Sequence, residues 1–277
     1  MTIDAHQHFW KFDPVRDAWI DHHMKILQRD FLPPELKTVL AENGVDGCIA
    51  VQADQSEAET RFLLDLADQY DFIKGVVGWV DLRAGNIGER LTYFTQFPKI
   101  KGFRHIVQGE ADVNFMLRPT FKRGIAQLGK SGFTYDILIF PHQMGAALEL
   151  VKAFPHQKFV IDHLAKPYIK DGFFDGWATL IRELGRCENV WCKVSGLVTE
   201  ADWNQWKYEH FVLYLDLVFE TFGCNRLMFG SDWPVCLLGG TYDRVKGIVD
   251  RYLAPFSKQE QEGILGRNTI DFYNLSI

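Results

Sequence analysis

Apolar positions along this chain follow two alternating rhythms. Short runs dense in β-branched and aromatic residues, each closing on polar side chains, occur at Thr2 to His8, Gly47 to Ala53, Ile73 to Val80, Gly102 to Ile106, Phe133 to Ile139, Lys158 to His163, Val190 to Ser195 and Leu227 to Asp232. Between them lie segments with helical spacing, among them Glu57 to Tyr70, Gln143 to Phe154, Trp177 to Cys187 and His210 to Phe222. In the first of these, Ser56 is placed to cap the helix with Glu59 at the box position, and Phe62, Leu63, Leu66 and Ala67 form the stripe expected to face the sheet. Strand and helix in alternation predict a parallel sheet covered by helices, and at 277 residues that sheet is expected to close as a (β/α)8 TIM barrel, one domain spanning residues 1–277. The stretch from Phe9 to Pro34, rich in aromatic and charged residues, is long for a loop and is expected to wall the mouth of the barrel.

Charge and cysteine content narrow the partners. A net charge of −6 supplies no positive field for phosphates, so nucleic acid and anionic membrane surfaces are poor partners and a small molecule is the expected ligand. No apolar run approaches membrane-spanning length and no secretory signal pattern opens the chain, which predicts a cytoplasmic protein. Cys48, Cys187, Cys192, Cys224 and Cys236 are odd in number and contain no C-x-x-C pair, so they are read as reduced thiols.

The chemistry gathers at the ends of the strands. Alternate strand residues share a face, so Asp4, His6 and His8 are expected to project together into the barrel interior, with two imidazoles at the end where barrel enzymes build their sites. Other strands bring Arg104 and His105, Asp136, His163 and Asp232 to the same end. Structural roles compete for each: a core histidine at 163, an ion-paired Arg104, a turn-starting Asp232 and solvated lysines at 166 and 193.

Five motifs in order, Asp-Ala-His-Gln-His-Phe-Trp at 4–10, Gly-Phe-Arg-His at 102–105, Ile-Asp-His-Leu-Ala-Lys-Pro at 161–167, Lys-Val-Ser-Gly-Leu at 193–197 and Phe-Gly-Ser-Asp-Trp-Pro-Val at 229–235, give the chain a resemblance to the amidohydrolase-related lactonases. That group includes hydrolases of L-fucono-, L-rhamnono- and L-galactonolactones and 2-pyrone-4,6-dicarboxylate lactonase. The resemblance implies attack of water on a lactone carbonyl, with Asp232 as the base. It also implies one divalent metal, zinc by its donor set, held by His6, His8, His163 and Asp232; hydrolysis without metal stays open, because the group includes hydrolases that use protonated histidines and arginine instead. No histidine ends the fifth strand and no carboxylated-lysine candidate ends the fourth, so a bridged metal pair is not expected.

Arg104, His105 and His163 are the remaining catalytic candidates, with His105 next in line as the base. Lys166 and Lys193 are candidates for a positive substrate site, Trp10 and Trp233 for stacking on a sugar ring, and Asp136 and His142 for hydrogen bonds to it. This inventory favours a neutral sugar lactone over a pyrone dicarboxylate, for which several arginine forks are expected. A decarboxylase of the related barrel family shares the His-x-His opening and the late aspartate, and is the competing enzyme reading.

Overall fold

The computed structural model describes residues 1–277. Its strands are β1 (Ile3–Gln7), β2 (Gly47–Val51), β3 (Ile73–Gly78), β4 (Ile100–His105), β5 (Thr134–Ile137), β6 (Phe159–Ile161), β7 (Val190–Val194) and β8 (Leu227–Phe229), parallel and adjacent in chain order. The ring closes at its C-terminal rim, where His8 N–H donates to Trp233 O at 2.7 Å and Asp232 N–H to His6 O at 2.8 Å. Each expected strand is present. The polar residues that closed the expected runs, such as His8, His163 and Asp232, lie just past the strand ends, in the loops of this rim.

The outer ring is α1 (Pro33–Glu42), α2 (Glu57–Gln69), α3 (Ile87–Phe94), α4 (Pro119–Lys130), α5 (Met144–Ala153), α6 (Asp175–Gly185), α7 (Glu209–Phe222) and α8 (Tyr242–Leu253), followed by α9 (Lys258–Glu262) and α10 (Asn268–Tyr273). Pro33 and Pro34 open α1, since a fixed φ and a missing N–H cost nothing in the first turn of a helix. In α2 the buried side chains are Thr60, Leu63, Leu64 and Ala67, so the stripe is turned slightly from the expected one, with Phe62 and Leu66 half-buried at its edge. Ser56 Oγ accepts from Glu59 N–H at 3.1 Å as a cap should, but the Glu59 carboxylate reaches back to the N–H groups of Ala53 and Asp54 and ties the β2–α2 loop instead.

Ile3, Ala5, Ile49, Val51, Val77, Val160 and Met228 fill the barrel interior together with Phe272, Tyr273 and Leu275 from the C-terminal helix and tail. The register of β1 against β2 slips between Asp4 and Gln7, one extra residue on β1. This bulge corrects the expectation that Asp4 shares a face with the two histidines. Ala5 belongs to the interior cluster, while Asp4 turns to Ser231 N–H at 2.9 Å and Tyr242 Oη on α8 at 3.0 Å. Burial raises the Asp4 carboxyl to about 6.

The Phe9–Pro34 stretch folds over the rim through a single 3-10 segment, His22–Leu27, and a bridge between Trp10 and Phe31. No helix is long and apolar enough to cross a membrane. The five cysteines are all unpaired.

Candidate active site

His6 and His8 leave β1 after the bulge with their Nε2 atoms 3.2 Å apart. His8 Nδ1–H donates to Val51 O at 2.8 Å, which turns the ring so that Nε2 faces the cluster. Asp232 Oδ1 lies 3.3 Å from His8 Nε2, 3.8 Å from His6 Nε2 and 3.8 Å from His163 Nε2. His163 is oriented by Ser195 Oγ, 2.8 Å from its Nδ1. One carboxylate oxygen thus faces three imidazoles contributed by β1 and the β6 end, all within the C-terminal rim.

Backbone conformation puts these groups in place. His163, Leu164, Ala165 and Lys166 all have positive φ, 53°, 54°, 57° and 51°, a left-handed turn that non-glycine residues pay about 1–2 kcal/mol each to adopt. The turn carries His163 and Lys166 to the same cavity. Asp232 is left-handed as well, at 59°. Two motif glycines make room for the rings: a Cβ on Gly196 would lie 2.7 Å from His163 Cγ and Nδ1, and one on Gly230 would lie 2.7 Å from His6 Cβ.

Burial lowers the His6 imidazole well below its ordinary value and brings His163 to about 4. At Asp232 burial, which raises the carboxyl, is outweighed by the neighbouring imidazoles of His163, His8 and His6, and the group is held well below the usual range. His6, His163 and Asp232 all have lowered proton affinity, which favours the deprotonated ligand forms that a metal site requires. Zinc bound at about 2.0–2.1 Å in a tetrahedron sets its ligand atoms about 3.3–3.4 Å apart. The 3.2, 3.3 and 3.8 Å separations among His6 Nε2, His8 Nε2 and Asp232 Oδ1 are close to that spacing, so this donor set fits a single divalent cation. His6, Asp162 and His163 form a second grouping of donor atoms, but Asp162 is already engaged by Arg104 at 2.9 Å and Lys193 at 3.0 Å, which argues against a second cation there.

Above the cluster opens a cavity of about 370 Å³. Of the residues singled out in the sequence, His8, Trp10, Arg104, His163, Lys166 and Asp232 line it; His6 sits fully buried at its floor. Five other candidates lie off the cavity wall. Asp136 and Lys193 are fully buried and pair with each other at 2.5 Å, with Lys193 also 3.2 Å from His6 Nδ1, beneath the floor of the cavity. His105 follows the inward Arg104 on β4 and therefore faces outward; it stacks on Phe115 at 4.7 Å, and its Nε2 lies 2.7 Å from Glu110 Oε1. Trp233 is packed edge-on against Phe9 and Phe31 and offers no face to the cavity. His142 is exposed, stacked on Phe140 outside the lining.

Arg104 lines the cavity yet is committed to the protein. Its guanidinium donates to Asp162 Oδ2 at 2.9 Å, to Gln52 Oε1 at 2.8 and 3.1 Å and to the Gln52 carbonyl. Lys166 pairs with Glu200 at 2.9 Å. Sequence reasoning missed Asp162, whose carboxylate links Arg104, Lys193 and His6, although it sits beside His163 in the quoted motif. It also missed Gln52 and the cavity residues Trp19, Gln108 and Phe140, which belong to no motif.

Residues 3–275 match the amidohydrolase family profile. The chain is 38% identical to an L-fucono-1,5-lactonase of Burkholderia multivorans, covering 99% of this chain and 96% of that protein. It is 33% identical to an L-fucono-1,5-lactonase of Burkholderia ambifaria, over 99% of this chain and 95% of the relative. Among solved structures, a Burkholderia multivorans amidohydrolase crystallised with bound zinc superposes with a TM-score of 0.96 at 39% identity, covering 100% of both chains. The extent of these matches, together with the barrel and its rim of histidines and aspartate, establishes that the chain belongs to the amidohydrolase family.

Proposed function

We propose that this chain is a lactonase that hydrolyses a neutral sugar lactone, of the L-fucono-1,5-lactone type its relatives are named for, to the open aldonic acid. The observation that carries the reading is an ionised carboxylate facing imidazoles on the floor of a cavity whose cations are already paired. Arg104 and Lys166 are bound to Asp162 and Glu200, so the wall has no free positive group for a dicarboxylate, while Trp10, Trp19 and Phe140 offer faces for a sugar ring.

In this reaction a water oxygen bonds to the lactone carbonyl carbon, and the bond from that carbon to the ring oxygen breaks. Asp232 is the base. Its contacts to the histidines are made by Oδ1, leaving Oδ2 to take the water proton and return it to the departing ring oxygen. His6, His8 and Asp232, with His163 alongside, would hold a divalent cation, which when bound would supply Lewis-acid polarisation of the carbonyl and a more acidic water. His8 is held by Val51 O and His163 by Ser195, so neither ring needs to reorganise as charge develops. Arg104 keeps Asp162 and Gln52 in place beside the floor.

The test is a pH-stat assay of L-fucono-, L-rhamnono- and L-galactonolactones and of 2-pyrone-4,6-dicarboxylate, with and without prior chelation. Acid release from the neutral lactones, slowed by chelation and restored by zinc, is expected. A higher kcat/KM for the dicarboxylate overturns the substrate assignment, and release of carbon dioxide from an aromatic acid with no lactone turnover overturns the lactonase.

A further inference from the structure

The polar groups on the cavity wall are mostly spoken for. His8 Nδ1 is satisfied by Val51 O, Trp10 Nε1 donates to Arg29 O at 2.9 Å, and Arg104 and Lys166 are ion-paired. Gln108 is different: it lines the same cavity, and its side-chain Oε1 has no hydrogen-bond partner and is turned away from solvent, so rotation of the half-buried side chain brings the amide to a ligand in the cavity. A buried amide oxygen without a donor is a free-energy penalty that a protein rarely carries without a use.

The loop that presents this amide is fixed on all sides. Gln108 N–H donates to Leu138 O at 3.0 Å, Gln143 Nε2 donates to the adjoining Val107 O at 2.7 Å, and Ile106 N–H donates to Gln55 Oε1 at 2.8 Å. The backbone of residues 106–108 is therefore tied to the neighbouring β2 and β5 loops, and only the side chain is left to respond to a ligand. A glutamine amide carries an acceptor and two donors, which complements a hydroxyl that both donates and accepts, and it has no charge to favour a carboxylate.

From this we infer that Gln108 is a specificity-determining residue that recognises one hydroxyl of the lactone, the substrate supplying the donor that Oε1 lacks. The inference rests on the sugar-lactone reading above and goes beyond it by assigning hydroxyl recognition to a residue of the β4–α4 loop, away from the histidine and aspartate cluster.

A cycle of enzyme and substrate changes tests it. Wild type and Gln108→Met are compared on L-fucono-1,5-lactone and on analogues that each lack one hydroxyl. On the parent lactone the variant loses about tenfold in kcat/KM, the worth of one neutral hydrogen bond. On one analogue the two enzymes become equal, because the partner hydroxyl is gone, and on the others the gap persists. Gln108→Ala must give the same pattern, which separates loss of the amide from any effect of the thioether. An equal gap on every analogue makes Gln108 a structural residue and overturns the inference, as does no gap on the parent. A wild-type enzyme inactive on every lactone overturns the lactonase reading and, with it, this inference.

Discussion

Lys193 Nζ lies 2.5 Å from Asp136 Oδ2, with both side chains sealed from solvent beneath the histidines. The ammonium also reaches Asp162 Oδ1 at 3.0 Å, and Tyr273 Oη from α10 donates to the same Asp136 oxygen at 2.7 Å. The C-terminal helix is thereby linked through two carboxylates and a lysine to the floor of the site. Buried charges in such a set depend on each other, because any one left alone bears its full desolvation cost.

Lys193→Met is expected to destabilise the fold by about 3–5 kcal/mol, since it strips Asp136 and Asp162 of a shared cation. Adding Asp136→Leu to that variant removes the stranded carboxylate and should recover part of the loss. Urea unfolding measures both, and a single variant as stable as wild type would contradict the coupling.

Gly196→Ala tests why the Lys-Val-Ser-Gly-Leu motif ends as it does. The added methyl would sit 2.7 Å from the His163 ring at a backbone φ of +66°, so the ring must move. A stability loss of about 1–3 kcal/mol is expected. Turnover should fall by at least about tenfold, as displacement of a positioned group predicts. Steady-state kinetics beside a melting curve check it; unchanged kcat in a folded variant would release His163 from the mechanism.

His105→Phe separates the outward histidine from the chemistry. Its ring stacks on Phe115, so kcat/KM is expected to stay within about threefold of wild type, as for a residue that touches no reacting atom. Burial holds this imidazole below its ordinary value of 6.5, against the opposing hydrogen bond it donates to Glu110. The unfolded chain therefore binds the proton first on acidification, and the stability present above the ordinary value drains away as pH falls below it. The variant should unfold with a flatter pH dependence there, read from urea midpoints across that range.

Much of the architecture was legible because two periodicities, near 2 and near 3.6, mark strands and helices whatever the tertiary contacts. The eight runs ending in polar residues placed the rim correctly, and with it His8, Arg104, His163 and Asp232. What escaped was orientation within the runs. A single extra residue on β1 turned Asp4 away from His6, and period 2 is blind to a bulge. Lys193 and Asp136 looked like substrate ligands because a lone charged residue on a strand gives no sign of its partner, which here comes from two strands away. Gln108 and Trp19 belong to loops, where no periodicity acts and only the folded cavity shows which side chains meet.

The most direct test of the account is the turnover of Asp232→Asn on L-fucono-1,5-lactone, with folding checked by melting temperature and zinc content by elemental analysis. The amide keeps the shape of the carboxylate and one oxygen but cannot take the water proton. A folded variant that loses on the order of 10²–10⁴ in kcat is predicted, the range for removal of a positioned base. A folded variant with near-native turnover would contradict the assignment and place the base elsewhere in the cavity.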